Sequence, residues 1–335
     1  MQPAIYGLAG ESLTADERDF FKDADPAGYI LFRRNCVAQE QLRALTDSLR
    51  ALHGRSEVPI LIDQEGGRVP RMQPPVWPKF PEAGRFADLY AKAPISAIEA
   101  ARANAQAPAV MLRGVGINVN CLPLLDVRQE GAHDIIGDRA LGSEPMQVAA
   151  LGRAVLEGMA AAGVAGVVKH MPGHGRSMSD SHVELPVVDA SDEELDVDIE
   201  PFRTLRNAPM GMTSHVVYTA WDPDRPASLS PRVIAGIIRG RIGFDGFLMS
   251  DDLGMHALSG GFDVRARGVV EAGRDAALHC SGDMAEMVAV ARGLGEMTSQ
   301  ARERLDRGMA SVADTVPTAS YEDLAAKRDA LLAYV

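Results

Sequence analysis

The chain has 335 residues and a mass of 35.8 kDa, long enough to bury a large core without disulfides or a structural metal. Its 34 basic and 46 acidic side chains give a formal net charge of −12, which argues against partners such as nucleic acid and anionic lipid. A content of 46% hydrophobic and 24% charged residues is typical of a globular protein and excludes wholesale disorder.

Eight short apolar runs follow one another along the chain, and each ends in glycine, proline or polar residues, as buried parallel strands do. In chain order they are Ala4–Leu8, Tyr29–Phe32, Val58–Ile62, Gly116–Asn120, Gly166–Val168, Met210–Thr213, Gly246–Met249 and Ala276–Leu278. The clearest amphipathic stretches between them are Gln39–Leu52, Pro145–Ala162, Glu193–Leu205, Pro231–Ile238 and Val264–Ala272. Because strands alternate with helices eight times, we predict an α/β fold, a single (β/α)8 barrel of the TIM type.

The rest of the chain fits the same domain. Residues after about 286 form further helical segments that end in Tyr321–Tyr334, and we expect them to pack on the barrel, so that residues 1–335 form one domain. A doubly wound sheet is the alternative, but no GxGxxG motif follows the first strand. The segment from Pro70 to Pro81 contains five prolines, which predicts a structured loop after the third strand.

Cysteine usage and the N-terminus indicate the compartment. The three cysteines, Cys36, Cys121 and Cys280, are far apart and form neither a disulfide framework nor a CxxC metal motif, so we interpret them as small core residues. The first residues contain no basic and apolar regions of a secretory signal, and no apolar stretch reaches about 18 residues. We therefore predict a cytoplasmic protein that does not bind membranes and is a monomer.

Charged and polar residues directly follow five of the eight runs. In a barrel the loops at the carboxyl ends of the strands form the active site, and charged groups beside apolar strands are costly to bury without partners. We therefore expect these residues to meet at the barrel mouth. They are Asp63–Arg71, Asp126 with Gly137–Arg139, Lys169–Gly175 with Asp180–His182, Ser214–His215, and Ser250–Asp252.

Each candidate also has a simpler interpretation. Asp63 could cap a turn, Glu65 could be solvated, and one of Asp251 and Asp252 could cap the next helix. We interpret Arg68 as a surface arginine. Four histidines lie near no other candidate residue and are predicted to be structural: His53, His133, His256 and His279.

Two kinds of hydrolysis fit the candidate residues. Glycoside hydrolysis with retention needs a carboxylate nucleophile and a group that serves as acid and then as base. Asp251 at a strand end suits the first role, and His182 suits the second because imidazole titrates near neutral pH. Asp180 can orient His182 as the aspartate of a triad does. Hydroxyl groups of the sugar would be bound by Asp63, Arg139, Lys169 and His170.

Metal-assisted hydrolysis in a barrel is the alternative. Its ligands would come from His170, His174, His182, His215 and Asp251, but the HxH pair expected on the first strand is replaced by Tyr6-Gly7-Leu8. A non-catalytic sugar-binding protein ranks third, because it would need neither Asp251 nor His182.

Six motifs in order resemble those of glycoside hydrolase family 3, and more narrowly its single-domain bacterial β-N-acetylhexosaminidases of peptidoglycan recycling. The resemblance runs from about Tyr6 to Gly273. The motifs are Asp63–Arg71, Ile136–Arg139, Lys169–Gly175 with Asp180–His182, Ser214–Tyr218, Pro226–Ser228, and Gly243–Gly246 with Ser250–Met255.

The resemblance implies an exo-acting enzyme that removes a terminal β-linked N-acetylglucosamine, typically from 1,6-anhydro-N-acetylmuramic acid with or without a peptide. It implies that the nucleophile is Asp251 and that the acid/base His182 is paired with Asp180. It implies no cofactor and no metal, with a small amino sugar as the partner. The residues implied to bind the sugar are Asp63, Arg71, Arg139, Lys169 and His170. The sequence departs from the family pattern at Met171, Arg176 and Gly254, and Arg176 stands where an acidic or small residue is common.

Overall fold

The computed structural model describes residues 1–55, 57–181 and 183–334. Within these ranges the strands are β1 (Gln2–Gly7), β2 (Pro26–Leu31), β3 (Ile60–Ile62), β4 (Val119–Asn120), β5 (Ala165–Met171), β6 (Val187–Val188), β7 (Met210–Thr213), β8 (Val217–Tyr218), β9 (Phe247–Asp252) and β10 (Ala276–His279). The α-helices are α1 (Ala15–Ala24), α2 (Gln39–His53), α3 (Gly84–Lys92), α4 (Pro94–Gly114), α5 (Pro145–Ala160), α6 (Asp192–Thr204), α7 (Phe262–Glu271), α8 (Met284–Gly293), α9 (Ser299–Ala310) and α10 (Tyr321–Leu332). A π-helical segment covers Val233–Ile242.

Eight of these strands close into a barrel in the order β1-β10-β9-β7-β5-β4-β3-β2, and each neighbouring pair is parallel. Each of the eight apolar runs coincides with one barrel strand. The predicted (β/α)8 barrel is therefore confirmed. Strands β6 and β8 form a separate two-stranded sheet that the sequence analysis did not identify.

Alternation along the strands divides the buried side chains into two layers. Ile5 of β1 packs with Leu61 of β3 in a cluster made largely of strand residues, which fills the barrel interior. Its neighbour Tyr6 packs outside the barrel, where its ring lies 6.2 Å from that of Phe21 on α1. Because both faces of each strand are covered, the strands read as continuous apolar runs.

Local sequence signals explain where several helices begin and end. Thr14 accepts a hydrogen bond from the backbone of Glu17 and starts α1 with a capping box, and Ser191 starts α6 in the same way. Pro145 occupies the first turn of α5, where its missing N–H costs nothing. Gly54 ends α2 with a φ of +60°, a conformation that glycine adopts without steric cost.

Some elements differ from the predictions. Helices α1, α3 and α4 were not singled out, and the segment predicted as Pro231–Ile238 extends to Ile242. Lys169 and His170 lie within β5 rather than after it, and Asp251 and Asp252 lie at the end of β9 rather than at a helix N-terminus. Polar side chains at the mouth do not end a parallel strand, because its backbone continues to pair with its neighbours.

The C-terminal helices lie against the outer helices of the barrel. Helix α10 packs on α4, where Lys327 bonds to Glu99 at 2.9 Å and the guanidinium of Arg328 lies 5.9 Å from the ring centroid of Phe80. That residues 1–335 form a single domain remains a prediction, which these contacts favour. Among the described helices, none is both long and apolar enough to cross a bilayer.

Candidate active site

A cavity of about 320 Å³ opens at the carboxyl ends of the barrel strands. This is the position at which barrel enzymes place their active sites. The cavity brings together residues from β5, from β9 and from the loops after β3 and β4, which are far apart in the sequence. Six of the residues that line it are Asp63, Glu65, Arg139, Lys169, His170 and Asp251.

One wall of the cavity is a row of alternating charges. Asp63 accepts from Arg71 at 3.0 Å through one oxygen and from Lys169 at 3.0 Å through the other. Lys169 also lies 2.8 Å from Glu65, whose two oxygens accept from Arg139 at 2.8 and 2.9 Å. The predicted binding residues on this wall are therefore joined through Glu65, for which solvation was the simpler interpretation.

Mutual pairing keeps this row ionised although it is buried. Burial opposes ionisation of Asp63, but Lys169 and Arg71 outweigh it and hold the pKa of Asp63 below its usual value. The same balance, with Lys169 and Arg139 as the cations, lowers the pKa of Glu65 to about 2. Burial likewise opposes the charge on Lys169, yet the two carboxylates raise its pKa. The row thus presents donors and acceptors at fixed places, as recognition of sugar hydroxyls requires.

His170 is oriented by a buried carboxylate. Asp126 accepts from Nδ1 of His170 at 2.8 Å and from the backbone N–H groups of His170 and His174 at 3.1 and 2.7 Å. Burial of Asp126 is outweighed by these two histidines, and its pKa falls to about 2. An ionised carboxylate can only accept, so the Nδ1 atom of His170 carries the proton and Nε2 is left for a ligand in the cavity.

Asp251 and Asp252 end β9 on another wall. The backbone N–H of Asp252 donates to Oδ1 of Asp251 at 2.8 Å, which fixes this carboxylate. Oδ1 of Asp252 accepts from the backbone N–H groups of Gly254 and Cys280 at 3.0 and 3.1 Å. Both aspartates line the cavity, and they differ in the number of backbone groups that bind Oδ1.

A buried histidine, His215, binds the backbone at the end of β9. Nε2 of His215 lies 3.0 Å from the carbonyl oxygen of Asp252, and Nδ1 lies 2.6 Å from the Ser228 hydroxyl. Burial lowers the pKa of His215 and so favours the neutral ring. Because a carbonyl can only accept, Nε2 carries the proton and Nδ1 accepts from Ser228. The motif around Ser214 and His215 thus supports the Asp251 wall.

Arg68 is exposed, as the sequence analysis expects of a surface arginine, but it also has a structural role at the mouth. Arg68 lines the cavity, and its Nε atom lies 2.9 Å from Asp138. Its guanidinium also donates to the backbone carbonyls of Asp134, Ile135 and Ile136. A residue in the loop after β3 thereby fixes the loop after β4. Sequence reasoning had no signal for this, because the acceptors are backbone atoms.

The proposed acid/base pair is described in part. His182 lies outside the described residues, so the expected hydrogen bond from Asp180 to His182 stays a prediction. The backbone carbonyl of Asp180 accepts from Val183 and Glu184 at 2.9 and 3.1 Å. Ser181, the residue between the two, lines the cavity, which brings this segment to the mouth.

The alternative metal ligands are held in other ways where they are described. Within the described ranges, no group of three or more His, Cys, Asp or Glu side chains is arranged to hold a metal ion. His215 is bonded to Asp252 and Ser228, and the rings of His170 and His174 meet edge to face at 5.8 Å. Burial and the neighbouring His170 lower the pKa of His174 to about 4, so this ring is neutral.

Glu65 and Asp126 were expected at the barrel mouth, but the sequence analysis gave neither of them a role in the site. Each is the carboxylate partner of a basic residue that was identified. The signal available was the need of Lys169, Arg139 and His170 for buried partners, since charged groups at strand ends are costly to bury alone.

Comparison with known proteins identifies the family of this chain. Residues 5–314 match the glycosyl hydrolase family 3 N-terminal domain. The β-hexosaminidase of Alkalilimnicola ehrlichii is 40% identical over 284 residues, covering 83% of this chain and 80% of that protein, and that of Aromatoleum aromaticum is 37% identical. NagZ from Neisseria gonorrhoeae superposes with a TM-score of 0.85 at 32% identity, covering 99% of this chain and 96% of that one. Its complex with N-trifluoroacetyl-D-glucosamine gives a TM-score of 0.87 at 31% identity, with 98% of each chain covered. This chain therefore belongs to glycosyl hydrolase family 3, among the β-hexosaminidases of that family.

Proposed function

We propose that this glycoside hydrolase is a retaining exo-β-N-acetylglucosaminidase with Asp251 as nucleophile and His182 as acid/base, assisted by Asp180. The observation that carries the proposal is the single cavity in which Asp251 faces the charged row of Asp63, Lys169 and Glu65. A nucleophile beside a fixed set of hydroxyl-binding groups is what cleavage of a terminal sugar needs.

Cleavage proceeds in two steps. In the first, an Asp251 oxygen attacks the anomeric carbon, the bond to the leaving oxygen breaks, and His182 gives that oxygen a proton. In the second, His182 takes a proton from water, the water attacks the same carbon, and the bond to Asp251 breaks. Each step inverts the anomeric centre, so the product keeps the β configuration.

The charged row binds the sugar that is released. Arg71, Arg139 and Lys169 donate to hydroxyl oxygens, Asp63 accepts from hydroxyl protons, and Nε2 of His170 meets a further hydroxyl. This wall is fixed before the substrate arrives, because each cation is already paired with Asp63 or Glu65. Binding of the sugar therefore costs little further side-chain entropy.

The substrate class follows from family resemblance. A neighbouring structure holds N-trifluoroacetyl-D-glucosamine, and the relatives are named β-hexosaminidases. We therefore propose N-acetylglucosamine linked to 1,6-anhydro-N-acetylmuramic acid, with or without peptide, as the substrate. The proposed setting is the recycling of peptidoglycan fragments in the cytoplasm by a monomeric, single-domain enzyme.

The Asp251→Ala variant tests this proposal, with Asp252→Asn as its matched neighbour. We expect the first to abolish turnover of p-nitrophenyl N-acetyl-β-glucosaminide while N-acetylglucosamine still binds, and the second to retain part of the activity. NMR of the wild-type products should show the β anomer first. Near-normal turnover by Asp251→Ala, or an α anomer as first product, would contradict the mechanism. Loss of activity in EDTA that Zn²⁺ restores would instead favour the metal alternative.

A further inference from the structure

The loop after β5 begins with a root, residues 172–177, that the structure ties down at several points. The backbone N–H of Gln129 donates to Gly175 at 3.4 Å, and that of His133 donates to Ser177 at 2.9 Å. A Cβ atom placed on Gly175 would lie 1.9 Å from the carbonyl oxygen of Val127. The root therefore lies directly against the loop after β4.

Arg176, one of the three residues at which the sequence departs from the family pattern, bonds this root to α6 through its side chain. Its Nε atom lies 2.6 Å from Asp198 on α6, and its Nη2 atom donates to the carbonyl oxygen of Glu194 at 3.1 Å. These two acceptors are one helical turn apart, and the planar guanidinium reaches both at once. Because Arg176 binds both acceptors, it fixes the position of the root along α6 as well as its distance from α6.

Asp198 is almost completely buried, at 2% exposure, and it packs under the same root. Its Cβ lies near Gly173, and its second oxygen accepts from the Gln129 side chain at 3.3 Å. Burial raises the pKa of Asp198 to about 6, because the attraction of Arg176 does not fully offset it and the nearby Asp126 carboxylate adds to it. Because burial disfavours the ionised form of Asp198, stabilisation of the fold is a poor explanation for its ion pair with Arg176.

Beyond Ser177 the segment is more exposed. The side chains of Met178 and Val183 are 66% and 69% exposed, and Ser181 is held by a backbone hydrogen bond from Ala257 at 3.3 Å. Asp180 lies between these points. The hydrogen bonds at Ser177 and at Ser181 together limit where Asp180 can lie.

We propose that Arg176 and Asp198 are positioning residues that set where Asp180 and His182 approach the leaving oxygen. This inference rests on the proposed function, because it takes His182 as the acid. It assigns a role to the departure at Arg176, which anchors the root to α6. Without Arg176, Asp198 would keep the Gln129 amide as its side-chain partner, and the root would lose its tie to α6.

Substrates with different leaving groups distinguish the proposed positioning role of Arg176 and Asp198 from a merely structural one. Protonation matters for a poor leaving group such as methoxide and little for p-nitrophenolate. The value of kcat/KM reports the first step, in which the leaving group departs. For Arg176→Ala we expect kcat/KM on methyl N-acetyl-β-glucosaminide to fall by about tenfold or more, and kcat/KM on the p-nitrophenyl substrate by less than about threefold. The affinity for N-acetylglucosamine should stay within about twofold, because the charged row is untouched.

Graded variants guard against misfolding. Arg176→Lys keeps the charge but cannot reach both acceptors, so its loss should be intermediate, and Asp198→Asn should show the same dependence on leaving group. The control is Arg241→Ala, whose guanidinium lies 2.5 and 3.0 Å from Asp192 and Asp196 on the same helix but does not contact the loop. We expect the control to lose activity on neither substrate.

Equal losses on both substrates, or no loss in any Arg176 variant, would overturn the inference. His182→Ala, assayed in parallel, distinguishes this from failure of the proposed function. If His182→Ala shows the leaving-group dependence and the Arg176 variants do not, the positioning role is wrong and the acid assignment stands. If His182→Ala itself lacks the dependence, the acid assignment is wrong.

Discussion

Glu65→Gln tests whether the charged row stabilises the fold as well as the site. The Glu65 side chain is 5% exposed, accepts two hydrogen bonds from Arg139 and forms an ion pair with Lys169. A glutamine keeps the shape but replaces one acceptor oxygen with an NH2 group that faces a cation. Removing one partner of a buried pair leaves the other charge uncompensated, which is a destabilising change.

The pKa of Glu65 sets the magnitude. It falls from 4.5 to about 2 on folding, because Lys169 and Arg139 outweigh the burial of the carboxylate. A shift of about 2.5 units corresponds to about 3 kcal/mol at pH 7. A lowered pKa means that this stability is present above about pH 4.5 and is lost as the pH falls towards 2. By about pH 3 the contribution should be about 1 kcal/mol, so the difference between the variant and the wild type should shrink.

Urea unfolding at both pH values measures this difference. Glu99→Gln is the matched control, because Glu99 is 38% exposed and pairs with Arg102 and Lys327 on the surface. We expect the control to cost less than about 1 kcal/mol. The reasoning would be refuted if Glu65→Gln cost no more than the control at pH 7, or if its cost were the same at pH 3.

Two further variants probe the groups behind the two walls of the cavity. Asp126→Asn replaces one acceptor oxygen with an NH2 group, which faces Nδ1 of His170 if the remaining oxygen keeps the two backbone donors. We therefore expect kcat/KM to fall by about tenfold to a hundredfold, with a binding loss visible in titrations with N-acetylglucosamine. Unchanged affinity would show that the orientation of His170 does not depend on Asp126. His215→Leu removes the donor that holds the peptide beside Asp251, so kcat should fall to a similar extent with good and poor leaving groups. A loss confined to poor leaving groups would contradict this assignment.

The barrel could be predicted because its strands are buried on both faces. A strand such as β1 then has no polar face, and its apolar run stands out between helices and glycine-rich turns. Helix α4 was missed for a related reason. Its buried surface is made mostly of alanine, as at Ala100, Ala101 and Ala105, so its apolar periodicity is weak.

The site could be predicted in part, because basic residues and Asp251 stand out where they directly follow apolar runs. Their partners could not be predicted in the same way. Glu65 looked like a loop carboxylate, and its burial results from Lys169 and Arg139, which lie 104 and 74 positions away. The role of the exposed Arg68 in holding the loop after β4 could not be predicted, because its acceptors are mostly backbone carbonyls, which every residue possesses. Pairing of this kind exists only once the strands are closed into a barrel.

The structure divides the proposed chemistry between separate parts of the barrel mouth. The proposed nucleophile Asp251 lies near the end of β9, whose last residue is held by His215 after β7. The root of the loop that contains His182 is bonded to α6 through Arg176. Every substrate needs the attack by Asp251, but only poor leaving groups need the proton. Variants of His215 should therefore slow all substrates alike. Variants of Arg176 or Asp198 should mainly slow the substrates with poor leaving groups. The dependence of the rate on the leaving group then shows which part of the mouth a variant affects. A measurement of stability alone would not distinguish the two parts.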